Sequence, residues 1–554
     1  MGWFDPTLDC VLIGYHETDL ASHVKNLEAM QHGSGAFANL LANIVNVRGR
    51  WLHYMDLLNL ALQEAHHRDF ALNTMTLPSL GVCYLASYLQ SRALRVKWIN
   101  NFDRQTDELL RILQKKPLAV AITTTFYVEK SPLQEIVNFV RAHSPQTYII
   151  TGGPFIFSMC AGIADPNVQD YLFREIGADF YINDSQGEAT LYQLLALLKS
   201  GNCPNFTSVP NLIVAEPLLA LQKKSSHAAY QFVRTSRVVE NNDLDRNTVD
   251  WQLFPQRFLA PTLATRTSRG CHYSCAFCNF PVLGGKQQFR SLESLEQEFA
   301  YLHEVGVKQL ILVDDTLNLP LPRFKQMLQM MIRRHFQFQW CSFFRCGNAD
   351  KEAFELMQAS GCTLAYLGIE SGDQQILDNM NKMVKLEQLR QGIAGLQAHG
   401  IATLASCIVG FPGETTASVA RSIDFINETQ PTFLLLELYY HSLLAPINNE
   451  AARFGIQGAA FSWRHDTMDW QTASRLIGEF YRRVSHSLIF PSFMFGGWSL
   501  PYLLGKGITM EQIKEFARLA RPLLLKNWPT EVAAISVEDT FQAMVALAKT
   551  MRIL

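Results

Sequence analysis

Residues 270–280 read G-C-H-Y-S-C-A-F-C-N-F and place Cys271, Cys275 and Cys278 as C-x3-C-x2-C. The chain has eleven cysteines in 554 residues, too few for a disulfide scaffold. Structural zinc sites take four ligands, usually as two C-x2-C pairs or an equivalent, and no second pair stands near this one. A cubane [4Fe–4S] cluster normally takes four thiolates. Three thiolates leave one iron with an open position, where a substrate or cofactor can bind directly. A structural metal knot or three unligated thiols is the plainer alternative. The placement of the three cysteines at the end of a strand, with Phe277 among them, favours the cluster.

Outward from this stretch the pattern alternates. Strands are expected at 263–268, 309–313, 338–344, 364–369, 403–409 and 434–439, with helices at 291–305, 321–334, 351–359, 373–380, 386–398 and 415–428. Six strands and their helices over 263–445 predict a partial (β/α)6 barrel of the TIM type. Catalysis in such barrels sits at the carboxyl ends of the strands. Those ends carry Asp314, Asp315, Arg345, Glu370, Ser371 and Gly410, and Tyr439, Tyr440 and His441 follow the last strand, where they are expected to line the substrate cavity, with His441 as an acid or base. Each has an ordinary reading beside the functional one. The aspartates suit a helix cap, Glu370 a solvated carboxylate and Arg345 a rim salt bridge. The Gly-Phe-Pro-Gly turn suits simple strand closure, and His441 a hydrogen-bonded structural histidine.

Upstream lies a second α/β alternation. Strands at 9–14, 95–100, 118–123, 148–151 and 180–183, with helices at 78–90, 106–115, 131–142 and 189–199, predict a doubly wound, Rossmann-like parallel sheet over 76–205. Ligands bind such sheets outside the carboxyl ends of the strands. Thr123, Thr124, Thr125, Gly152, Gly153, Pro154, Gly187 and Glu188 fall there. Residues 1–75 read as an N-terminal extension with the first strand. Residues 206–262 read as a linker, and 446–554 as a helical C-terminal cap.

Composition narrows the function. Charges balance at 48 Lys+Arg against 50 Asp+Glu, a net −2. Bulk attraction to nucleic acid or anionic membrane is therefore not expected. Two long uncharged stretches, 142–164 and 391–413, are broken by Gly152-Gly153-Pro154 and by Gln397, His399, Thr403 and Ser406. Neither reads as a membrane span. Asp5 and Asp9 interrupt the first apolar stretch, so no signal peptide is expected and the cytoplasm is the expected location.

C-x3-C-x-F-C after the first strand of a partial barrel resembles the signature of the radical S-adenosylmethionine (SAM) enzymes, over about 260–445. The resemblance implies that SAM chelates the open iron of a [4Fe–4S] cluster and is cleaved to a 5′-deoxyadenosyl radical. It also implies an electron donor such as a flavodoxin or ferredoxin. Further motifs match in order. Val313-Asp314-Asp315-Thr316 resembles the second-strand motif that contacts the SAM amino group. Gly368-Ile369-Glu370-Ser371-Gly372, followed by Met380-Asn381-Lys382, resembles the fourth-strand motif. Ile408-Val409-Gly410-Phe411-Pro412-Gly413 resembles the motif that packs on adenine.

The upstream sheet resembles the cobalamin-binding domain of cobalamin-dependent radical SAM enzymes, over about 75–200. The resemblance rests on Pro78, Ser79, Leu80 and Gly81, the threonines at 123–125, Gly152 to Pro154, and Gly187-Glu188. The D-x-H-x-x-G motif that supplies a histidine to cobalt in many such domains is absent from 75–200. His143 is the only histidine there. Residues 438–441, 445–447 and 463–468 resemble a branch of cobalamin-dependent methyltransferases from natural-product pathways, the phosphinate P- and peptide or amino-acid C-methyltransferases. The activity implied is methyl transfer from SAM, through methylcobalamin, to an unactivated carbon or a phosphinate of a small molecule or peptide. The alternatives are a cyclisation or rearrangement with the same cofactors, and a non-catalytic iron–sulfur or cobalamin sensor.

Overall fold

The computed structural model describes residues 8–17, 20, 23–25, 34–201, 205–215, 232–491, 496–528 and 536–553. They fall into two compact units, Met1–Thr18 with Met75–Phe258, and Asp19–Thr74 with Leu259–Leu554.

The first unit is built on β1 (Cys10–Tyr15), whose six residues are all buried. A strand apolar throughout suits a sheet covered on both faces. After β1 come α1 (Leu80–Gln90), β2 (Val96–Asn101), β3 (Ala119–Thr123), α2 (Ser131–His143) and β4 (Tyr148–Gly152). They are followed by β5 (Phe180–Ile182), α3 (Glu188–Lys199), β6 (Leu212–Ala215) and β7 (Phe232–Arg234). The sheet order is β2-β1-β3-β4-β5-β6-β7. The first five strands are parallel, while β6 and β7 run antiparallel. The order 2-1-3-4-5 is doubly wound, and its switch point lies between β1 and β3. Val11, Ile13, Val120 and Ile122 form one core with Ile136 and Val140 of α2. Each such side chain contributes roughly 1.5–3 kcal/mol by leaving water.

The expected linker, 206–262, is not one. It supplies β6 and β7, which extend this sheet, and Phe254, whose ring centroid lies 4.7 Å from that of Trp98. Strands of three or four residues show no readable period, and only the open edge of β5 recruits them. The expected extension, 1–75, also divides. β1 lies between β2 and β3, whereas the helix Tyr54–His66 packs on Val537–Ala548 in the second unit.

The second unit holds β8 (Thr262–Thr265), β9 (Gln309–Leu312), β10 (Gln339–Phe343), β11 (Cys362–Glu370), β12 (Ala402–Val409) and β13 (Phe433–Leu438), all parallel and in chain order. The six expected strands are these six. A short seventh, β14 (Leu488–Ile489), pairs with β13, and β8 and β14 are the two edges of an open barrel. α4 (Thr416–Thr429) joins β12 to β13. The tail is helical at α5 (Trp470–Arg483), Met510–Leu525 and Val537–Ala548. It also carries β14 and an antiparallel ribbon of Gln457–Ala459, Ser462–His465 and Met468–Asp469, strands that the sequence reading did not expect. No helix among the described residues is long and apolar enough to cross a membrane.

Candidate active site

The cysteine loop leaves the short strand Ser268–Arg269, which pairs with Gln288–Phe289. Gly270 has φ +81, and a Cβ there would lie 2.6 Å from the carbonyls of Gly285 and Lys286, so glycine is required. The loop is pinned from both sides. Ala276 N–H donates to Met380 O at 2.8 Å, and Ala276 O accepts from Ile447 N–H at 2.9 Å. Asn381 Nδ2 donates to Ser274 O at 3.0 Å. Cys275 is buried, and Cys271 and Cys278 are half-buried. Burial pushes the Cys278 thiol up to about 11, and the neighbouring Cys275, Cys271 and Asp315 add to the effect. The three sulfurs therefore face a common space. Three thiolates in one loop suit a cluster with one open iron better than a four-coordinate structural zinc.

Next to this space, β9 ends in two aspartates with different surroundings. Asp314 is buried, and both its oxygens accept from Thr267 N–H, at 3.1 and 3.0 Å. The hydroxyls of Thr267 and Ser268 add bonds of 3.1 and 2.5 Å. Asp314 therefore holds the turn after β8. Asp315 is half-buried, and burial with the charge of Asp314 pushes its carboxyl up to about 8.

Arg345 follows β10. Its backbone is fixed by Asn318, which accepts from Arg345 N–H at 3.0 Å and donates to Arg345 O at 2.9 Å. Its guanidinium carbon lies 3.5 Å from the centroid of the Tyr273 ring, inside the cysteine loop. One terminal nitrogen is buried without an acceptor. An orphaned buried donor costs roughly 1–3 kcal/mol, which a ligand carboxylate would relieve.

On β11, Glu370 Oε1 and Lys382 Nζ pair at 2.8 Å. Ser371 is fully buried. Its Oγ lies 3.2 Å from Ser422 Oγ on α4 and accepts from Asp373 N–H, so it serves packing. On β12 and β13 the register pairs Ser406 with Leu435 and Ile408 with Glu437. Ser406, Ile408 and Glu437 keep partial exposure, while Ala405, Cys407 and Val409 are buried. The first set therefore lines the open interior of the barrel. The Glu437 carboxyl is pushed up to about 8 by burial and by Glu370. The sequence reading missed Glu437, because a single Glu in an apolar strand carries no signal of what faces it.

Gly410, at the end of β12, is held on both sides of its backbone. Its N–H donates to Glu414 Oε2 at 2.5 Å, and its carbonyl faces His465 Nε2 at 3.2 Å. With φ +97 it leaves space that the Trp463 ring fills. Trp463 Nε1 donates to Tyr439 O at 2.7 Å and its ring stacks on His465. Tyr439 is buried, and its hydroxyl has no partner. The acid–base role expected of His441 finds no free nitrogen. Nδ1 faces Gly458 O and Nε2 faces Asn448 Oδ1, each at 3.0 Å. The Asn448 amide nitrogen donates to Ser442 O and Ala445 O, which fixes that acceptor. His441 thus ties the strand end to the ribbon. Tyr440 is exposed and meets Phe461 edge-on.

In the first unit, the expected ligand positions divide the same way. Thr123 Oγ1 donates to Ile13 O at 3.3 Å, and Thr124 Oγ1 donates to Gly152 O at 2.9 Å. Ser79 N–H donates to Asn100 Oδ1 at 2.7 Å, and Pro78 O accepts from the Tyr15 hydroxyl. Leu80 is half-buried at the start of α1, and Thr125 is exposed beside Gly81. Gly153 has φ +108, and Pro154 opens a helix behind it. Gly187 caps α3 at φ +80. The amino end of α3 is closed by the chain itself, because Glu240 accepts from Ala189 N–H at 2.9 Å and Thr190 N–H at 2.7 Å. Glu188 accepts from Asn242 and Asn247 at 3.0 and 3.2 Å, so it fastens the 240s segment. His16, just past β1, pairs with Glu135 at 3.0 Å and lies 3.9 Å from Asp103. His16 lies outside 75–200, the stretch that resembles a cobalamin-binding domain, and no motif in the sequence marks it.

The model of the radical SAM superfamily matches residues 265–426, the stretch that carries the cysteine loop and the strand ends just described. Residues 265–426 form a radical SAM domain.

An uncharacterized methyltransferase of Pyrococcus horikoshii, PH0819, is 24% identical over 360 residues, 63% of this chain and 73% of its own. Several further curated relatives are matched over less than half of their length. Among solved structures, the radical SAM methyltransferase TsrM from Kitasatospora setae, with cobalamin and a [4Fe–4S] cluster bound, superposes with a TM-score of 0.55. It is 18% identical over 68% of this chain and 72% of that one. The cobalamin-dependent SAM radical enzyme OxsB, with aqua-cobalamin and SAM bound, gives 0.52 at 16% identity, over 78% of this chain and 63% of that one. These likenesses extend beyond the radical SAM domain and support the fold of a doubly wound sheet followed by an open barrel.

Proposed function

We propose that this chain is a cobalamin-dependent radical SAM methyltransferase acting on a small-molecule or peptide substrate. The observation that carries the reading is the loop of three cysteines, one thiolate short of a cubane's usual four, close to Arg345, one of whose guanidinium nitrogens is buried without an acceptor. Cys271, Cys275 and Cys278 would hold the [4Fe–4S] cluster. Arg345 would take the SAM carboxylate and Asp315 its ammonium. Glu370 would take a ribose hydroxyl, and Phe277 and Ile408 would pack on the nucleoside. When bound, the cluster supplies the electron for SAM cleavage and cobalamin carries the methyl group.

The protein's own groups orient the ligand and exclude water. Asp314 and Asn318 fix the backbone that bears Asp315 and Arg345. Trp463 seals the barrel behind Gly410, and Glu437 and Tyr439 offer an acceptor and a hydroxyl to the substrate. Leu80 and Thr125, which follow β1 and β3 at the switch point, and Gly153 beside Thr124 would receive cobalamin. The methyl acceptor is an unactivated carbon or a phosphinate. The cysteines among the described residues are free, which suits a reducing, cytoplasmic setting.

The test is anaerobic reconstitution, followed by incubation with methyl-labelled SAM, a reductant, methylcobalamin and a panel of candidate substrates. Label transfer to one substrate is expected. Protein that binds cluster and SAM yet never transfers label would overturn methyl transfer. Protein that binds no cobalamin would overturn the role of the first unit.

A further inference from the structure

Glu370 stands where β11 breaks register with β12, a bulge between Gly368 and Glu370, and it takes φ +64. A non-glycine residue in this region is strained by roughly 1–3 kcal/mol, and neighbours must hold it there. The chief neighbour is Lys382. Their side chains are only 9% and 11% exposed. The pair lies across the bare Cα of Gly368, where a Cβ would overlap Glu370 Oε1 and lie 2.8 Å from Lys382 Nζ.

Lys382 also belongs to the turn that carries the cysteine loop. Met380 O and Asn381 Nδ2 bind Ala276 N–H and Ser274 O, and the Lys382 ammonium sits 5.5 Å from the centroid of the Phe277 ring. One ammonium therefore touches an aromatic ring beside Cys278 and the carboxylate on the fourth strand.

We propose that Lys382 is a positioning residue that registers the cluster loop against the Glu370 carboxylate. It holds Oε1, fixes the strained backbone and leaves Oε2 aimed at a ligand hydroxyl. This inference rests on the reading of the barrel as a SAM site. A buried pair suits the role because removing one partner leaves an uncompensated charge, which makes the geometry all-or-none.

The experiment uses full-length, cluster-reconstituted protein as wild type, K382M, K382R and K382Q. Affinity is read from the change in the EPR spectrum of the reduced cluster on titration with SAM, and with an analogue lacking both ribose hydroxyls. Iron and sulfide content reports cluster loading. Wild type is expected to prefer SAM, and K382M to lose about tenfold in SAM affinity with little change for the analogue. K382R is expected to regain most of the preference. K382Q carries the same comparison if K382M loads less iron. Wild-type preference in K382M and K382Q would overturn the inference, as would equal loss for both ligands. Wild-type protein with a full cluster and no SAM-dependent spectral change would instead overturn the SAM site itself.

Discussion

Both carboxylate oxygens of Asp314 accept the backbone N–H of Thr267, at 3.1 and 3.0 Å, so this aspartate is bound into the fold while its neighbour Asp315 faces the cysteines. The two should separate on mutation. Asp314→Asn places an amide among donors and is expected to cost about 1–3 kcal/mol in denaturant unfolding. Asp315→Asn is expected to leave stability nearly unchanged and to weaken SAM binding in equilibrium dialysis. Equal stability losses for the two would refute the division.

Gly410 and Trp463 form a second coupled pair. A Cβ at 410 would overlap the Trp463 ring and force an L-residue into φ +97. Gly410→Ala is expected to destabilise the barrel by about 2–4 kcal/mol. Adding Trp463→Leu should recover part of that loss. Strict additivity of the two changes would show that the ring does not occupy the space.

Glu414 offers a pH test away from the cysteines. Burial pushes its carboxyl up to about 8. Between the ordinary carboxylate value and about 8, the folded protein keeps a proton that the unfolded chain releases. The Glu414 contribution is thus fully present at low pH and is lost as pH rises toward 8. The slope approaches about 1.4 kcal/mol per pH unit for one group. Glu414→Gln removes the titration, so stability measured from pH 5 to 8 should fall less steeply in the variant. Parallel profiles would refute the assignment.

Tyr439 and His441 should behave oppositely, though both follow the same strand. Tyr439→Phe removes a buried hydroxyl without a partner and is expected to keep or raise stability by about 1 kcal/mol while weakening substrate binding. His441→Ala breaks two hydrogen bonds and is expected to cost about 1–3 kcal/mol. A His441 variant of wild-type stability with a displaced pH–rate profile would restore the acid–base role.

Alanine at Cys271, Cys275 or Cys278 is expected to abolish the cluster's visible absorbance and lower bound iron. Alanine at Cys341, buried in β10, should retain both. Iron analysis after reconstitution checks this. A Cys341 variant that also lost the cluster would mean that a fourth thiolate takes part.

The barrel was legible because its apolar strands, even the four-residue ones, alternate regularly with helices that show their own period. The cysteine triplet was legible because cluster ligands lie close in sequence. Other readings needed neighbours that sequence does not show. Glu188 looked like a ligand contact until Asn242 and Asn247, from a supposed linker, were found on it. His16 meets Glu135 and Asp103 only because β1 lies between β2 and β3, an arrangement no local spacing reveals.

The sequence alone determined the chemistry that can occur: three thiolates spaced to leave an iron open, on a strand-and-helix alternation that places polar residues at one rim. Short-range spacing survives folding, so those inferences hold locally. Only the tertiary structure decided which rim residues remain available. Asp314, Ser371, Gly410 and His441 are engaged by partners that folding brings to them, whereas Arg345 keeps one buried nitrogen without an acceptor. A hydrogen bond depends on distances across the fold, and those are set by packing rather than by motif.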